Sequence, residues 1–165
     1  MIVTRRTIPQ VSVIICHHVG SLLYKCVDSV LEQEGISYEI IVMTSDEELA
    51  IRGLKGCMVL YDTSMPASKR NKAARIAHGD YLAFLDDDVA INRRCLIEQY
   101  GFFQSHPVCG MTYSKLWNME HTNRFDEAGG YLTWTGFIWS RAQQNLIDEG
   151  QYDKPCTIFA GKSAS

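Results

Sequence analysis

The sequence predicts an α/β fold with a mainly parallel sheet, helices on both faces, on three observations. Short β-branched runs recur along the chain, they are apolar throughout instead of alternating, and helical stripes separate them. A strand that is apolar on both sides has to be covered on both faces, and strands alternating with helices supply that cover.

The elements follow in order. Val11-Ser12-Val13-Ile14-Ile15-Cys16 is the first buried strand. Gly20-Ser21 opens a helix with Leu22, Leu23, Cys26, Val27, Val30 and Leu31 on one stripe. Lys25, Asp28, Glu32 and Gln33 fall on its polar side, and Gly35 closes it. Glu39-Ile40-Ile41-Val42-Met43 and Cys57-Met58-Val59-Leu60-Tyr61 are further strands of the buried type. Between Pro66 and His78 an alanine-rich stretch reads as a helix, with Pro66 at its start and Gly79 past its end. Tyr81-Leu82-Ala83-Phe84-Leu85 is the fourth strand, and Asn92 is the expected cap of a helix to about Ser105 with Leu96, Tyr100 and Phe103 inward. After Thr112 the periodicity fades into irregular, partly stranded structure. The expected division is an N-terminal extension over residues 1–10, an α/β subdomain over 11–112, and the start of a second subdomain over 113–165.

With 165 residues, 46% hydrophobic and 21% charged, the chain is sized for a single sizeable core. A net charge of -3 argues against a nucleic-acid binder. After Arg5-Arg6 the one basic cluster is Lys69-Arg70-Asn71-Lys72 with Arg75, too short to track a polyanion but able to serve a phosphate. The six cysteines are dispersed, with no C-x-x-C pair, and read as reduced thiols of a cytoplasmic protein. No run approaches the ~20 apolar residues of a membrane span, which leaves room for a peripheral contact at the inner face of the membrane.

Asp86-Asp87-Asp88 follows the fourth strand directly. Ligands of open α/β sheets bind outside the carboxyl ends of the strands, so the triplet stands where a ligand is expected. In extended chain Asp86 and Asp88 share one face and Asp87 takes the other. A small hard cation takes one or two carboxylates and fills its shell with phosphate oxygens and water. The alternative is a solvated acidic turn. Three adjacent aspartates repel, however, and aspartate is a poor strand residue, so packing alone does not account for them.

These blocks, taken in order with Tyr38 to Met43, Lys69-Arg70-Asn71-Lys72-Ala73-Ala74 and Gly79-Asp80-Tyr81 running into the triplet, resemble the family 2 glycosyltransferases. That resemblance implies a GT-A fold with a D-x-D motif, a UDP- or dTDP-linked sugar donor, and Mg²⁺ or Mn²⁺. By the same resemblance Asp88 is the direct metal ligand, with Asp86 as a second, and Asp86 and Asp87 contact the ribose or a metal-bound water. Arg70 and Asn71 match the family's Arg-Asn pair near the nucleotide; for Lys69 and Lys72 a solvated basic helix face is the competing reading. His18 is a candidate to stack on the base as a smaller aromatic, or else a plain surface residue. The family's Asp-Asp-Gly-Ser block is absent, and Asp46 becomes the base-contacting candidate by displacement.

Phe125-Asp126-Glu127-Ala128-Gly129-Gly130-Tyr131 and Gly136-Phe137 are similar to a segment of members that build bacterial surface polysaccharides. The implied reaction is inverting sugar transfer to a hydroxyl of a glycan or lipid-linked acceptor. Trp134 or Trp139 can face a sugar, although a core role is the commoner fate of such a pair. The family's general base is expected beyond Ser165, so that Asp126, Glu127, Asp148 and Glu149 receive no such role and the chain reads as truncated. Two competing readings are a non-catalytic nucleotide-sugar-binding domain and a D-x-D phosphatase. The latter expects its motif on the first strand, followed by a hydroxyl residue, and here Val89-Ala90 follows.

Overall fold

A computed structural model describes residues 8–18, 20–142 and 145–161. Most of the expected N-terminal extension, together with Val19 and Ser165, therefore lies outside the described residues. The chain forms two compact units, the first ending at Pro107 and the second beginning at Val108.

The first unit alternates strand and helix: β1 (Val11–His17), α1 (Leu22–Leu31), β2 (Tyr38–Thr44), α2 (Glu47–Arg52), β3 (Met58–Tyr61), α3 (Pro66–Ile76), β4 (Tyr81–Asp86) and α4 (Cys95–Ser105). The strands make a wholly parallel sheet in the order β3-β2-β1-β4. Its period-2 alternation sorts two cores. Val11, Val13 and Ile15 of β1 join Ile40 and Val42 of β2 under Leu23, Cys26, Val27 and Val30 of α1, with Leu49 and Leu96 from α2 and α4. Ile14, Ile41 and Met43 face the opposite way, against Ala73 of α3. The predicted parallel α/β class is the one the chain adopts.

The central strands carry the burial and the outer ones do not. β1 and β2 have almost no solvent-accessible surface along their middles. Met58 and Tyr61 on β3 and Leu82 and Phe84 on β4 are all more than 40% exposed, because each of these strands ends the sheet. The expectation that the third strand is buried on both faces is corrected accordingly. The short helix α2 was not anticipated at all. Asn92 is not the cap of α4: the helix starts three residues later, after Arg94, and the Asn92 side chain accepts from the Arg94 N–H at 3.1 Å in a local turn.

At the amino ends of the strands a polar clamp fixes α3 to the sheet. The Ser12 hydroxyl donates to Glu39 Oε1 at 2.6 Å and accepts from the Gly79 N–H at 2.8 Å, while the His78 N–H donates to the same Glu39 oxygen. The backbone passes so closely here that a Cβ on Gly79 would stand 2.5 Å from Ser12 N and 2.7 Å from the Val11 carbonyl carbon. Glycine is required by this approach.

The second unit contains two antiparallel ribbons, β5 (Leu116–Trp117) with β6 (Phe125–Glu127) and β7 (Gly130–Leu132) with β8 (Ile138–Ser140). Phe125, Ala128 and Ala142 are buried together, with Tyr152 against them. Lys115 binds Asp148 at 2.9 Å and Asp153 at 2.5 Å, tying together segments more than 30 residues apart.

Candidate functional site

The parallel register delivers His17, Thr44 and Tyr61 side by side and sets Cys16 beside Asp86. The carboxyl edge of the sheet thus gathers the ends of β1, β2, β3 and β4, and α3 supplies basic side chains to it. Arg70 Nη2 donates to Asp86 Oδ1 at 2.5 Å. Lys72 Nζ donates to Asp62 Oδ2 at 2.6 Å, and this bond, with two from Ser64, holds the Asp62 carboxyl well below the usual carboxylate range. Lys69 is 3% exposed, and its Nζ donates to the His17 carbonyl at 2.9 Å and to Ser45 Oγ at 2.6 Å. The solvated-face reading of Lys69 is therefore corrected: this ammonium is buried and knits the ends of β1 and β2 together.

The three aspartates have three different environments. The strand stops at Asp86, and the chain turns through Asp87 and Asp88, closed by the Val89 N–H on the Asp86 carbonyl at 3.3 Å. The extended-chain alternation expected for the triplet does not extend past Asp86. Asp86 meets Arg70. Asp87 accepts from the buried His17 Nδ1 at 2.6 Å. Asp88 Oδ1 is buried and has no hydrogen-bond partner among the described residues. Burial pushes the Asp88 carboxyl above its ordinary range, helped by the charges of Asp86 and Asp87. The Asp86 carbonyl also accepts from the Cys26 thiol at 3.5 Å, which anchors the turn to α1. That thiol is pushed up to about 12, first by burial and then by the three neighbouring carboxylates, so it stays protonated.

The other sequence candidates are placed less closely. Asp46, two residues past the end of β2, caps α2, its Oδ1 accepting from the Leu49 N–H at 3.0 Å. His18 is exposed in the loop after β1, and Asn71 is exposed on α3. The residues brought together are thus Arg70, Asp86, Asp87 and Asp88, joined by His17, Lys69, Ser45 and Asp62. Long-range contacts place His17, Lys69 and Ser45 here, and nothing local in the sequence announces the burial of the Lys69 ammonium.

A small cation needs an oxygen donor that protein groups have not already saturated, and Asp88 Oδ1 is one. Among the described residues no group of three or more His, Cys, Asp or Glu side chains forms a protein cage for an ion. The donor set suits a metal that shares its coordination shell with a ligand's phosphate oxygens.

These features define a parallel α/β domain with a carboxylate and arginine cluster at the carboxyl edge of its sheet, the position where such sheets bind nucleotides. The chain belongs to glycosyl transferase family 2, whose model matches residues 12–164. Its fold is GT-A, and it is similar to solved structures of S. aureus TarS. One matches at a TM-score of 0.52 and 21% identity over 66% of this chain and 24% of that one. TarS 1-349 matches at 0.52 and 21% over 80% and 43%, and its complex with UDP-GlcNAc at 0.50 and 21% over 64% and 37%. The chain therefore spans less than half the length of these structures, and the likeness speaks for the fold. No curated protein matches the chain. Among the described residues no helix is long and apolar enough to cross a membrane.

Proposed function

We propose that residues 11–112 are the nucleotide-sugar-binding part of a glycosyltransferase. The observation that carries this reading is the buried, unpartnered Asp88 Oδ1 on a turn whose two other aspartates are held by Arg70 and His17. An uncompensated carboxylate oxygen is costly in a fold, and a cation shared with a diphosphate removes that cost. The family membership and the UDP-GlcNAc bound by S. aureus TarS support a UDP-linked donor; a dTDP-linked one fits the same edge.

In this reading Asp88 holds Mg²⁺ or Mn²⁺, with Asp86 as a second carboxylate. The bound ion supplies positive charge to the departing nucleoside diphosphate. Arg70, fixed by Asp86, presents its remaining N–H groups to a phosphate or base edge. Asp87, fixed by His17, faces the ribose, while Asp46, His18 and Asn71 border the base. Transfer to a hydroxyl proceeds with inversion, and residues 113–165 begin the acceptor side. Asp148 receives no base role in this reading: its Oδ2 is already engaged by Lys115 Nζ at 2.9 Å and Trp117 Nε1 at 2.7 Å. A cytoplasmic enzyme at the inner face of the membrane, acting on a glycan or lipid-linked acceptor in polysaccharide biosynthesis, completes the proposal.

Thermal shift with UDP-GlcNAc and a dTDP-sugar, each with and without Mn²⁺, tests it. A ligand at a hundredfold its Kd stabilises by about 2.7 kcal/mol, a shift of several degrees. The gain is expected only when nucleotide and metal are both present. A shift that ignores the metal, or none, sinks the donor site.

A further inference from the structure

The second unit carries an open cleft of about 390 Å³, lined by Tyr131, Trp139, Ser140, Arg141, Gln151 and Tyr152. That volume falls in the range of small-ligand sites. Tyr131 and Trp139 are direct cross-strand partners, so their rings stand on the same face of the β7–β8 ribbon. The expectation that the tryptophans are core fails here: Trp139 is 66% exposed, Trp134 97% and Tyr131 47%.

The cleft is rigid. Three hydrogen bonds between Thr133 and Phe137 close the turn of the ribbon, and Gly136 takes the positive φ of 86° the turn demands. At the other end the Gly130 N–H donates to the Ala160 carbonyl at 2.7 Å. Tyr152 packs edge-on against the fully buried Phe125, and its hydroxyl donates to the Arg141 carbonyl.

The polar chemistry of the cleft is one-sided. The Arg141 guanidinium lies 5.8 Å from the Tyr131 ring and 4.9 Å from the Tyr152 ring, and Nη1 donates to the Ala128 carbonyl at 3.1 Å. Among the described residues no carboxylate pairs with it. The Gln151 amide is already used on both sides, accepting from the Glu149 N–H and donating to the Ile147 carbonyl. What the cleft offers a ligand is therefore two aromatic faces, an indole N–H and a cation. A flat apolar face flanked by donors suits a pyranose ring, and the unpaired guanidinium suits an acidic group on it.

We propose that this cleft binds an acidic saccharide. The ring stacks on Tyr131 and Trp139, and a carboxylate or phosphate substituent meets Arg141. Its role as an acceptor subsite rests on the glycosyltransferase reading; the binding itself does not.

The test is an NMR titration of the full chain with tetragalacturonate, glucose 1-phosphate and neutral maltotetraose, read at the Trp139 indole and at the amides of 131, 139–141 and 151–152. Saturable shifts are expected there, with an acidic probe binding at least about tenfold more tightly than maltotetraose, as a charge-assisted contact implies. Which acidic probe binds more tightly distinguishes carboxylate from phosphate. Trp139→Ala should weaken every probe, and Arg141→Gln should erase the acidic preference and leave maltotetraose unchanged. Should Arg141→Gln not fold, raising the salt on the wild-type chain reads the same charge, weakening only the acidic probes. No saturable shift with any probe, or full binding by Trp139→Ala, overturns the site. Equal affinity for acidic and neutral probes overturns the role of Arg141. Failure of the donor site would appear as a missing nucleotide and Mn²⁺ shift, with these titrations unaffected.

Discussion

His17 and Asp87, 70 residues apart, meet across the carboxyl edge of the sheet with Nδ1 2.6 Å from Oδ2. His17 is 3% exposed, so the pair fixes the turn that carries Asp88 from beneath. Replacing His17 with Phe leaves a half-buried carboxylate without its partner. A loss of about 1–3 kcal/mol in urea denaturation is expected, and nucleotide binding should weaken with it. An unchanged midpoint would show that the pair holds nothing.

Asp88→Asn separates the cost of the site from its use. Burial already disfavours the Asp88 charge, so removing it should leave the ligand-free melting temperature the same or higher. The Mn²⁺-dependent part of the nucleotide shift should vanish in the same protein. A variant that keeps the metal-dependent shift would move the metal ligand elsewhere.

The clamp around Glu39 predicts a pH dependence. Burial raises the Glu39 carboxyl, but the Ser12 hydroxyl and the His78 backbone and ring outweigh it, and the group is held below its ordinary value of 4.5. Its stabilisation is therefore present above pH 4.5 and lost as the pH falls through the lower folded value. Glu39→Gln should cost about 1–3 kcal/mol at pH 7, and the gap to wild type should narrow in acid, measured as urea midpoints at both pH values. A gap constant with pH would rule out the charge as the cause.

Gly79→Ala adds one methyl where β1 backbone stands 2.5–2.7 Å away. No side-chain rotation relieves a clash with backbone, so a loss of about 1–3 kcal/mol is expected in urea denaturation. Alanine at the exposed, open position of Gly101 meets nothing within 4 Å and serves as the control.

The parts of the fold written in local pattern were legible. The runs of β1 and β2 are β-branched and apolar because both of their faces are covered, and the two cores fall on alternate residues as a period of two requires. What was missed depends on position in space. Cys57-Met58-Val59-Leu60-Tyr61 is as apolar as a central strand, yet topology puts it at an edge. Helix α2 is six residues long, too short for a periodic signature, and Asp46 is engaged as its cap. Asn92 carried a capping signal but spends it on a turn before the helix. At the candidate site the Asp triplet and Arg70 were visible as motifs. Lys69 looked like surface because burial of an ammonium is decided by the ends of β1 and β2, which the sequence separates by 28 residues from His17 to Ser45.

The exposed rim of β4 has a consequence for handling the protein. Leu82 and Phe84 stand 42% and 49% accessible on a strand that ends the sheet, and a sheet edge is a template for another copy's strand. Self-association through β4 is the expected behaviour of this chain at high concentration, and Leu82→Lys should suppress it in light scattering; an unchanged light-scattering profile for Leu82→Lys would place the contact elsewhere.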